Sequence, residues 1–191
     1  MKLTLTVPAS AEPLTRDEVA IHLRVGANET FAESAYLDAL IVAARTQAEQ
    51  FTGRALITQT WQLKLDDWQL SKIILPRLDV QSITQVQYID VNGATQTLAS
   101  NQYALTGDGN RLLVPAYGVT WPSLRQFSDV VTVTFVAGFG AAASVPQPIK
   151  NWLLLKIAAL YENREGMLVG QTVAKHIYAD ALLDPYRVFF A

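Results

Sequence analysis

The chain of 191 residues is 50% apolar and 17% charged, so it has enough apolar side chains for a substantial buried core. Its formal net charge of -2 excludes the strong basic field that draws nucleic acid from a distance. The sequence contains no cysteine, which excludes disulfides, thiolate metal sites and a cysteine nucleophile.

The first residues imitate an export signal, with Lys2 near the start and the small residues Ala9-Ser10-Ala11 after it. The apolar stretch between them is about five residues long and is interrupted by threonine, whereas signal peptides need roughly 7 to 15. The longest apolar run, Trp152–Tyr161, contains Lys156 and falls short of the roughly 20 residues that cross a bilayer. The sequence therefore predicts neither secretion nor a membrane partner.

A capping box marks the first helix. In Thr15-Arg16-Asp17-Glu18, the threonine hydroxyl can accept from the N–H of Glu18 while the Glu18 carboxylate accepts from the N–H of Thr15. We predict a short helix from Thr15 to about Arg24, with Gly26 past its end. Its apolar side would comprise Val19, Ala20 and Leu23.

A second helix is predicted from about Glu33 to Phe51, because apolar residues recur at intervals of three and four. These residues are Leu37, Leu40, Ile41, Ala44, Ala48 and Phe51. Gly53 would end the helix. The other side is expected to face solvent or a partner and carries Asp38, Arg45, Gln47, Glu49 and Gln50. A polar loop through Asn28 would join the two helices into a hairpin over residues 12–57.

The apolar period changes to two at Thr58, which is typical of half-buried strands. The predicted strands are Thr58–Leu65, Lys72–Leu75, Ile83–Asp90, Thr95–Leu98, Gln102–Leu105, Arg111–Val114 and Val130–Ala137. Asn92-Gly93 favours a type I′ hairpin turn, in which both residues have positive φ. Residues 58–137 should thus form an antiparallel β unit, either a small sandwich or an open barrel.

Pro146 and Pro148 precede an apolar segment and favour the start of a last helix, Ile149 to about Asn163, within residues 146–165. Apolar residues surround it almost completely, so we expect the N-terminal helices and a neighbouring subunit to bury it. The C-terminal tail, residues 166–191, ends in an apolar cluster that we expect to be exposed: Leu182, Leu183, Tyr186, Val188, Phe189 and Phe190.

The sequence offers little catalytic chemistry. Gly138 to Ala143 fits a dinucleotide fingerprint formally, but the helix begins only after Pro148 and no βαβ unit follows. His22 and His176 are the only histidines, and neither has ligands at metal-binding spacing. No G-x-S-x-G elbow is present. We predict no enzyme, no catalytic residue, no cofactor and no metal site.

Three segments carry a resemblance to a known family: Glu12–Val25, Ala48–Leu65 and Val131–Arg164. Together they resemble the gp6-like head-tail connectors, or head completion adaptors, of tailed bacteriophages and prophages. The resemblance spans nearly the whole chain and implies one connector domain over residues 1–191. It implies an α+β fold in which a helical bundle, built from the N-terminal helix hairpin and the C-terminal buried helix, carries an inserted small antiparallel β unit.

The resemblance also implies a structural role. Connectors of this family form homo-oligomeric rings under the portal protein, extend the DNA channel and receive the tail or its stopper protein. The expected location is the virion neck, after assembly in the host cytoplasm. The near-neutral charge suits a channel through which DNA passes without specific binding, since many lysines or arginines would hold its phosphates.

Several residues are candidates for protein interfaces. Glu162 and Arg164 belong to a segment that resembles a recurring family pattern and could help to fix the subunit contact. Trp121 lies in a second such pattern, where it is either a core residue or an interface anchor, and Arg125 would supply the ionic half of that contact. The tail would dock on a neighbour through Leu182, Leu183, Tyr186, Arg187, Phe189 and Phe190.

Two alternatives remain from the sequence. A β-rich carbohydrate- or protein-binding module would need aromatic residues on one exposed sheet face, for which Trp61, Trp68, Tyr88, Tyr103 and Trp121 are available. A tail completion or neck protein is the alternative within the phage interpretation.

Overall fold

The structure, a computed structural model, describes residues 1–69, 71–163 and 177–188. The chain forms two compact units. The β unit comprises residues 1–10 and 58–139, and the helical unit comprises residues 11–57 and the described residues from 140 onward. The fold is mixed α+β with antiparallel sheets, which confirms the predicted class.

The β unit contains eight strands in its described residues: β1 (Lys2–Val7), β2 (Gln59–Leu65), β3 (Ile73–Ile74), β4 (Val80–Ile89), β5 (Thr95–Thr97), β6 (Tyr103–Thr106), β7 (Leu112–Pro115) and β8 (Val131–Ala137). Five of them form one sheet in the order β1-β2-β8-β4-β5, and three form a second sheet in the order β3-β7-β6. All pairs are antiparallel.

Alternation along β8 explains how the larger sheet buries one face. Val131, Val133, Phe135 and Ala137 are buried, whereas the residues between them are half-buried, as the two-residue period of a strand requires. On β2, Leu63 lies directly opposite Val133. The smaller sheet adds Ile73 and Leu113 to the same core.

Strand β1 is missing from the sequence-based prediction. Its residues pair with β2 from Lys2 opposite Lys64 to Val7 opposite Thr60, with a bulge at Thr6. The alternation of Leu3, Leu5 and Val7 with threonine was the available signal.

The predicted hairpin at Asn92-Gly93 exists, because β4 and β5 pair around it, but its turn is not of type I′. Of the two residues, Gly93 alone has positive φ, at +86°. Asp90 closes a wider turn, because its N–H donates to the carbonyl oxygen of Ala94 at 2.9 Å. Its carboxylate accepts from Gln96 and from the N–H of Ala94, and these hydrogen bonds lower the pKa of Asp90.

The described helices are α1 (Arg16–Leu23), α2 (Ala27–Ala32), α3 (Ser34–Thr52), α4 (Gln147–Glu162) and α5 (Ile177–Asp180). Helices α1, α3 and α4 contact one another. The capping box of α1 is confirmed: the N–H of Thr15 donates to Glu18 Oε2 at 2.7 Å, and the N–H of Glu18 donates to Thr15 Oγ1 at 3.2 Å. Gly53 ends α3 in the left-handed conformation, as predicted.

Helix α1 ends before Gly26, as predicted, and Arg24 follows its last residue in the left-handed conformation, with φ of 57°. Three other expectations for the N-terminal helices are wrong. The supposed loop through Asn28 is helix α2. Phe51 is 37% exposed, although it continues the apolar stripe of α3, and Glu49 is buried, although it was expected to face solvent or a partner.

Helix α4 begins earlier than predicted, at Gln147, with Pro148 in its first turn. It buries Ile149, Trp152, Leu153 and Ile157. Leu155 on the same helix is 47% exposed, and its burial by a neighbouring subunit stays a prediction. None of the helices described here has the length and apolar character needed to span a membrane.

Candidate subunit and partner surfaces

Trp121 anchors the long connection between β7 and β8. Its ring stacks on Trp68, with the centroids 4.6 Å apart and the planes 8° from parallel. The indole N–H of Trp68 donates to the carbonyl oxygen of Pro122 at 2.8 Å. Trp121 is partly buried against the core of the β unit. These contacts support the core interpretation of Trp121, which would then position the loop without meeting a partner through its own ring.

Arg125 is exposed on the same connection and lies beside the β4–β5 turn. Its N–H donates to the carbonyl oxygen of Ile89 at 3.1 Å, and a Cβ atom on Gly93 would lie 2.8 Å from its Nη1. Phe127, two residues after Arg125, is 72% exposed, and Val91, two residues after Ile89, is 62% exposed. We call Val91, Arg125 and Phe127 the loop-end surface.

The sequence-based prediction included Arg125 but missed Val91 and Phe127. The available signal was an aromatic residue between polar neighbours, Gln126 and Ser128, in a connection without apolar periodicity. Tyr117, near the start of this connection, is also fully exposed. Long connections without secondary structure often carry function.

The C-terminal strap, Ile177–Val188, is fastened to the helical unit. Leu183 is 0% exposed, so the prediction that it belongs to an exposed cluster is wrong. Leu182, Tyr186 and Val188 are half-buried. The sequence does not show which residues the strap contacts, because those residues lie far away along the chain.

Three hydrogen bonds hold this strap. Arg54 Nε donates to the carbonyl oxygen of Tyr186 at 2.6 Å, and the N–H of Val188 donates to the carbonyl oxygen of Thr52 at 2.9 Å. Trp152 Nε1 donates to Asp180 Oδ1 at 3.2 Å. The strap therefore joins the end of α3 to the middle of α4.

Arg187 differs in exposure from the other described candidates of the strap, Leu182, Leu183 and Tyr186. It is exposed, it lies 4.7 Å above the ring of Phe51, and it pairs with Asp184 at 3.7 Å. Glu162 is exposed at the end of α4, whereas the hydroxyl of its neighbour Tyr161 donates to Glu33 Oε2 at 2.6 Å within the unit. The candidates Arg164, Phe189 and Phe190 lie outside the described residues.

The sequence did not predict a partly buried ionic cluster in the helical unit. Arg45 Nε donates to Glu12 Oε2 at 2.7 Å, and its Nη1 donates to Glu49 Oε2 at 3.0 Å. Glu49 Oε1 accepts from the N–H of Leu56 at 2.9 Å. Burial alone would lower the pKa of Arg45, but the hydrogen bonds and charges of Glu12 and Glu49 raise it, so the guanidinium stays charged.

The five aromatic residues considered for carbohydrate binding do not form an exposed platform. Trp68 is buried and packs on Tyr88 as well as on Trp121. Trp61 is covered by Arg77, whose guanidinium lies 4.6 Å from the ring centroid. Tyr103 is partly buried, and burial raises its pKa. These five rings therefore do not supply the exposed aromatic face that the carbohydrate-binding alternative would need.

The described residues contain no group of three His, Asp or Glu side chains placed to hold a metal ion. The polar groups found together are instead hydrogen-bonded in caps, turns and the Arg45 cluster. Among the described candidates, Arg125, Glu162 and Arg187 are exposed.

The comparison with known proteins shows that this chain is similar to chains of solved structures. No protein-family model and no curated protein sequence matches the chain. A chain in the neck of an empty gene transfer agent particle, computed with C6 symmetry, is 26% identical with a TM-score of 0.81. A chain in the virion of a native gene transfer agent particle is 26% identical with a TM-score of 0.80.

A third similar chain comes from the neck of a native gene transfer agent particle computed with C12 symmetry, at 25% identity and a TM-score of 0.76. Each comparison covers 100% of this chain and 97% of the other. The structural neighbours are therefore components of virion particles, two of them from necks with cyclic symmetry.

Proposed function

We propose that the chain is a structural head-tail connector in the neck of a tailed phage, prophage or related particle. The observation that carries this proposal is the similarity over the full length of both chains, at TM-scores from 0.76 to 0.81. A shared single motif would leave much of each chain unmatched. The gp6-like type, with its helices forming a bundle, is the particular form of connector that we propose, and we assign no reaction to it.

We propose that the chain forms a ring. Two of the similar chains belong to necks with C6 or C12 symmetry, and a cyclic ring requires each copy to present two different, complementary patches. The loop-end surface, with its exposed arginine and phenylalanine, has the composition of an interface anchor. Glu162, Leu155 and Arg187 on the helical unit are the candidates for a second patch.

In this proposal the ring lies between the portal protein and the tail or stopper protein, after assembly in the host cytoplasm. The exposed part of the strap, centred on Arg187, would contact a neighbour. Leu183 has a different task, because its burial fixes the strap on its own subunit. DNA would pass through the ring without sequence-specific binding.

Electron microscopy of the purified full-length protein, alone and mixed with its portal protein, tests the ring. We expect annular particles with sixfold or twelvefold symmetry in at least the mixture. Immunogold labelling of whole particles should place the protein at the neck. Labelling along the tail would favour the tail completion alternative, and labelling over the capsid would contradict both.

A pair of variants tests the loop-end surface. Phe127→Ser should prevent ring formation while leaving the circular dichroism spectrum unchanged. Ile21→Ser is the matched control, because Ile21 is also exposed, at 79%, but lies on α1. Rings formed by Phe127→Ser and lost in Ile21→Ser would move the interface to the helical unit.

A further inference from the structure

One face of the five-stranded sheet is buried, and the opposite face has an unusual composition. Residues that pair across neighbouring strands lie on the same face of a sheet. Thr132, Thr134 and Val136 lie on the face away from buried Phe135, and their partners on β2 and β4 therefore lie on that face too. We call these residues the polar face. Its rows across the sheet are Lys2, Lys64, Thr132, Gln87 and Thr97; Thr4, Gln62, Thr134 and Gln85; and Val7, Thr60, Val136 and Ser82.

These three rows contain hydroxyl groups, amides, two valines and two lysines, but no carboxylate and no aromatic ring. The whole chain has 17 acidic and 15 basic residues, so the lack of acidic residues is a local property. Threonine alone would be unremarkable, because it is a good strand former. The position of the two lysines requires a further explanation.

Lys2 and Lys64 lie directly opposite each other on β1 and β2. Like charges at such positions destabilise a sheet. Within the described part of the chain, the ion pairs use other cations, and neither lysine has an acidic partner. Among the described residues the repulsion between the two lysines is therefore uncompensated, and an anion from outside would relieve it.

We propose that the polar face is the surface over which duplex DNA passes, with Lys2 and Lys64 contacting phosphates. This inference rests on the proposed neck function. Lysine ammonium, threonine hydroxyl and glutamine amide groups are the side chains that contact the DNA backbone without reading sequence. A protein interface would instead be enriched in aromatic residues and arginine, which these rows lack.

Two lysines for each copy make a weak contact, which suits DNA that must move. Each neutralised phosphate contributes about 0.9 to the slope of log affinity against log salt, so one subunit should show a slope of about 1.8. Between about 50 and 200 mM salt this corresponds to roughly a tenfold loss of binding. The hydroxyl and amide groups add hydrogen bonds that exchange readily with water.

Site-specific photocross-linking tests the contact even when binding is weak. A benzoylphenylalanine replaces Gln62, in the middle row of the polar face, and in a second protein it replaces Asn151, which is exposed on α4. Both full-length proteins are irradiated with a mixed-sequence duplex at low salt. We expect DNA adducts at position 62, about tenfold fewer at 200 mM salt, and few at position 151.

Charge variants test the lysines. In the position-62 protein, Lys2→Gln with Lys64→Gln should remove the adducts and their salt dependence. Lys72→Gln with Lys156→Gln changes the net charge equally at other places and should leave the adducts unchanged. The thermal midpoint of the Lys2 and Lys64 variant should be equal or higher, since a repulsion is lost, so unfolding would not explain the loss of adducts.

Absent adducts at position 62, equal adducts at both positions, or adducts unaffected by Lys2→Gln and Lys64→Gln would each overturn the proposal. Competition by polyglutamate as strong as that by unlabelled duplex would also overturn it, in favour of an acidic protein partner. A protein located in the neck but without these adducts would refute this inference alone. Labelling outside the neck would refute the proposed function itself.

Discussion

The β unit and the helical unit are stabilised in different ways. In the β unit, two sheets share one apolar core, and each strand contributes every second side chain to it. In the helical unit, apolar helix faces are joined by specific polar contacts between distant segments, such as Arg45 with Glu12 and Arg54 with Tyr186. Periodic burial can be recognised locally, whereas contacts of the second kind require knowledge of the fold.

The largest effect is expected from Phe135→Ala in the β unit. Phe135 is fully buried, and removal of a buried phenylalanine side chain costs about 3 to 5 kcal/mol. Urea unfolding should show this loss in the fluorescence of Trp61, Trp68 and Trp121, which all belong to the β unit. In a variant whose Trp61, Trp68 and Trp121 are all replaced by phenylalanine, the fluorescence comes from Trp152 and reports on the helical unit.

Val136→Ala is the control for Phe135→Ala. It lies next to Phe135 but on the polar face, where it is half-buried, and should cost less than about 1 kcal/mol. Equal losses for the two variants would contradict the assignment of faces. A simultaneous shift of the Trp152 transition would show that the two units unfold together.

The elements of the β unit were largely predictable, because periodic burial can be recognised in a short stretch of sequence. Strands β2, β4 and β8 follow from alternation that a short window of sequence contains. Strand β1 was missed because threonines interrupt a short apolar stretch and its partner β2 lies more than fifty residues later in the chain. The Asn92-Gly93 signal predicted a hairpin correctly but not the role of Asp90 in its turn.

The candidate surfaces were less predictable. Glu49 and Arg45 are spaced like an exposed pair on a helix, and only the approach of Glu12 and Leu56 shows that they form a buried cluster. Leu183 looked like exposed apolar surface because the sequence does not show what covers it. Exposed residues such as Phe127 leave no periodic signal at all, since surface position depends on the path of the loop.

Leu183→Ala should give the next largest effect, this time in the helical unit. Truncation of a buried leucine costs about 2 to 5 kcal/mol, here at the lower end if the strap alone detaches. Limited proteolysis should then cut the strap, and hydrogen exchange should increase within residues 180–188. Leu182→Ala is the matched control, because Leu182 is only half-buried; equal protease sensitivity would mean that Leu183 does not hold the strap.

A smaller loss is expected from Arg45→Met, which leaves Glu49 buried without its cation. We expect about 2 kcal/mol, below the roughly 3 to 5 of a fully buried pair, because the side chains of Arg45 and Glu49 are 14% and 11% exposed. Urea unfolding followed by Trp152 measures it. Adding Glu49→Gln should recover part of the loss, whereas an additive further loss would contradict the coupling of the two groups.

Arg16→Met is the control for Arg45→Met. Arg16 also pairs with a carboxylate, Asp38, but both side chains are exposed. The hydrogen bond and charge of Arg16 lower the pKa of Asp38, yet solvent screens such a pair, so the unfolding curve should not change measurably. A loss as large as that of Arg45→Met would show that burial does not separate the two pairs.

The smallest effect concerns the capping box of α1. Thr15→Ala removes the acceptor for the N–H of Glu18 and should cost about 1 kcal/mol at neutral pH. The Glu18 carboxylate has a lowered pKa, chiefly because it accepts from the backbone N–H of Thr15. Its contribution is therefore present above the usual pKa of 4.5 and is lost as the pH falls through the lower value of the folded state.

Glu18→Gln separates this carboxylate from the other groups that titrate in acid. The variant should be less stable than the parent at neutral pH. The difference should begin to shrink below pH 4.5, where Glu18 of the unfolded parent binds a proton, and should be lost as the pH falls through the lower pKa of the folded parent. Asp17→Asn is the matched control, because Asp17 lies in the same first turn but makes neither bond of the capping box. A difference that stays constant as the pH falls would contradict a contribution from the ionised carboxylate of Glu18.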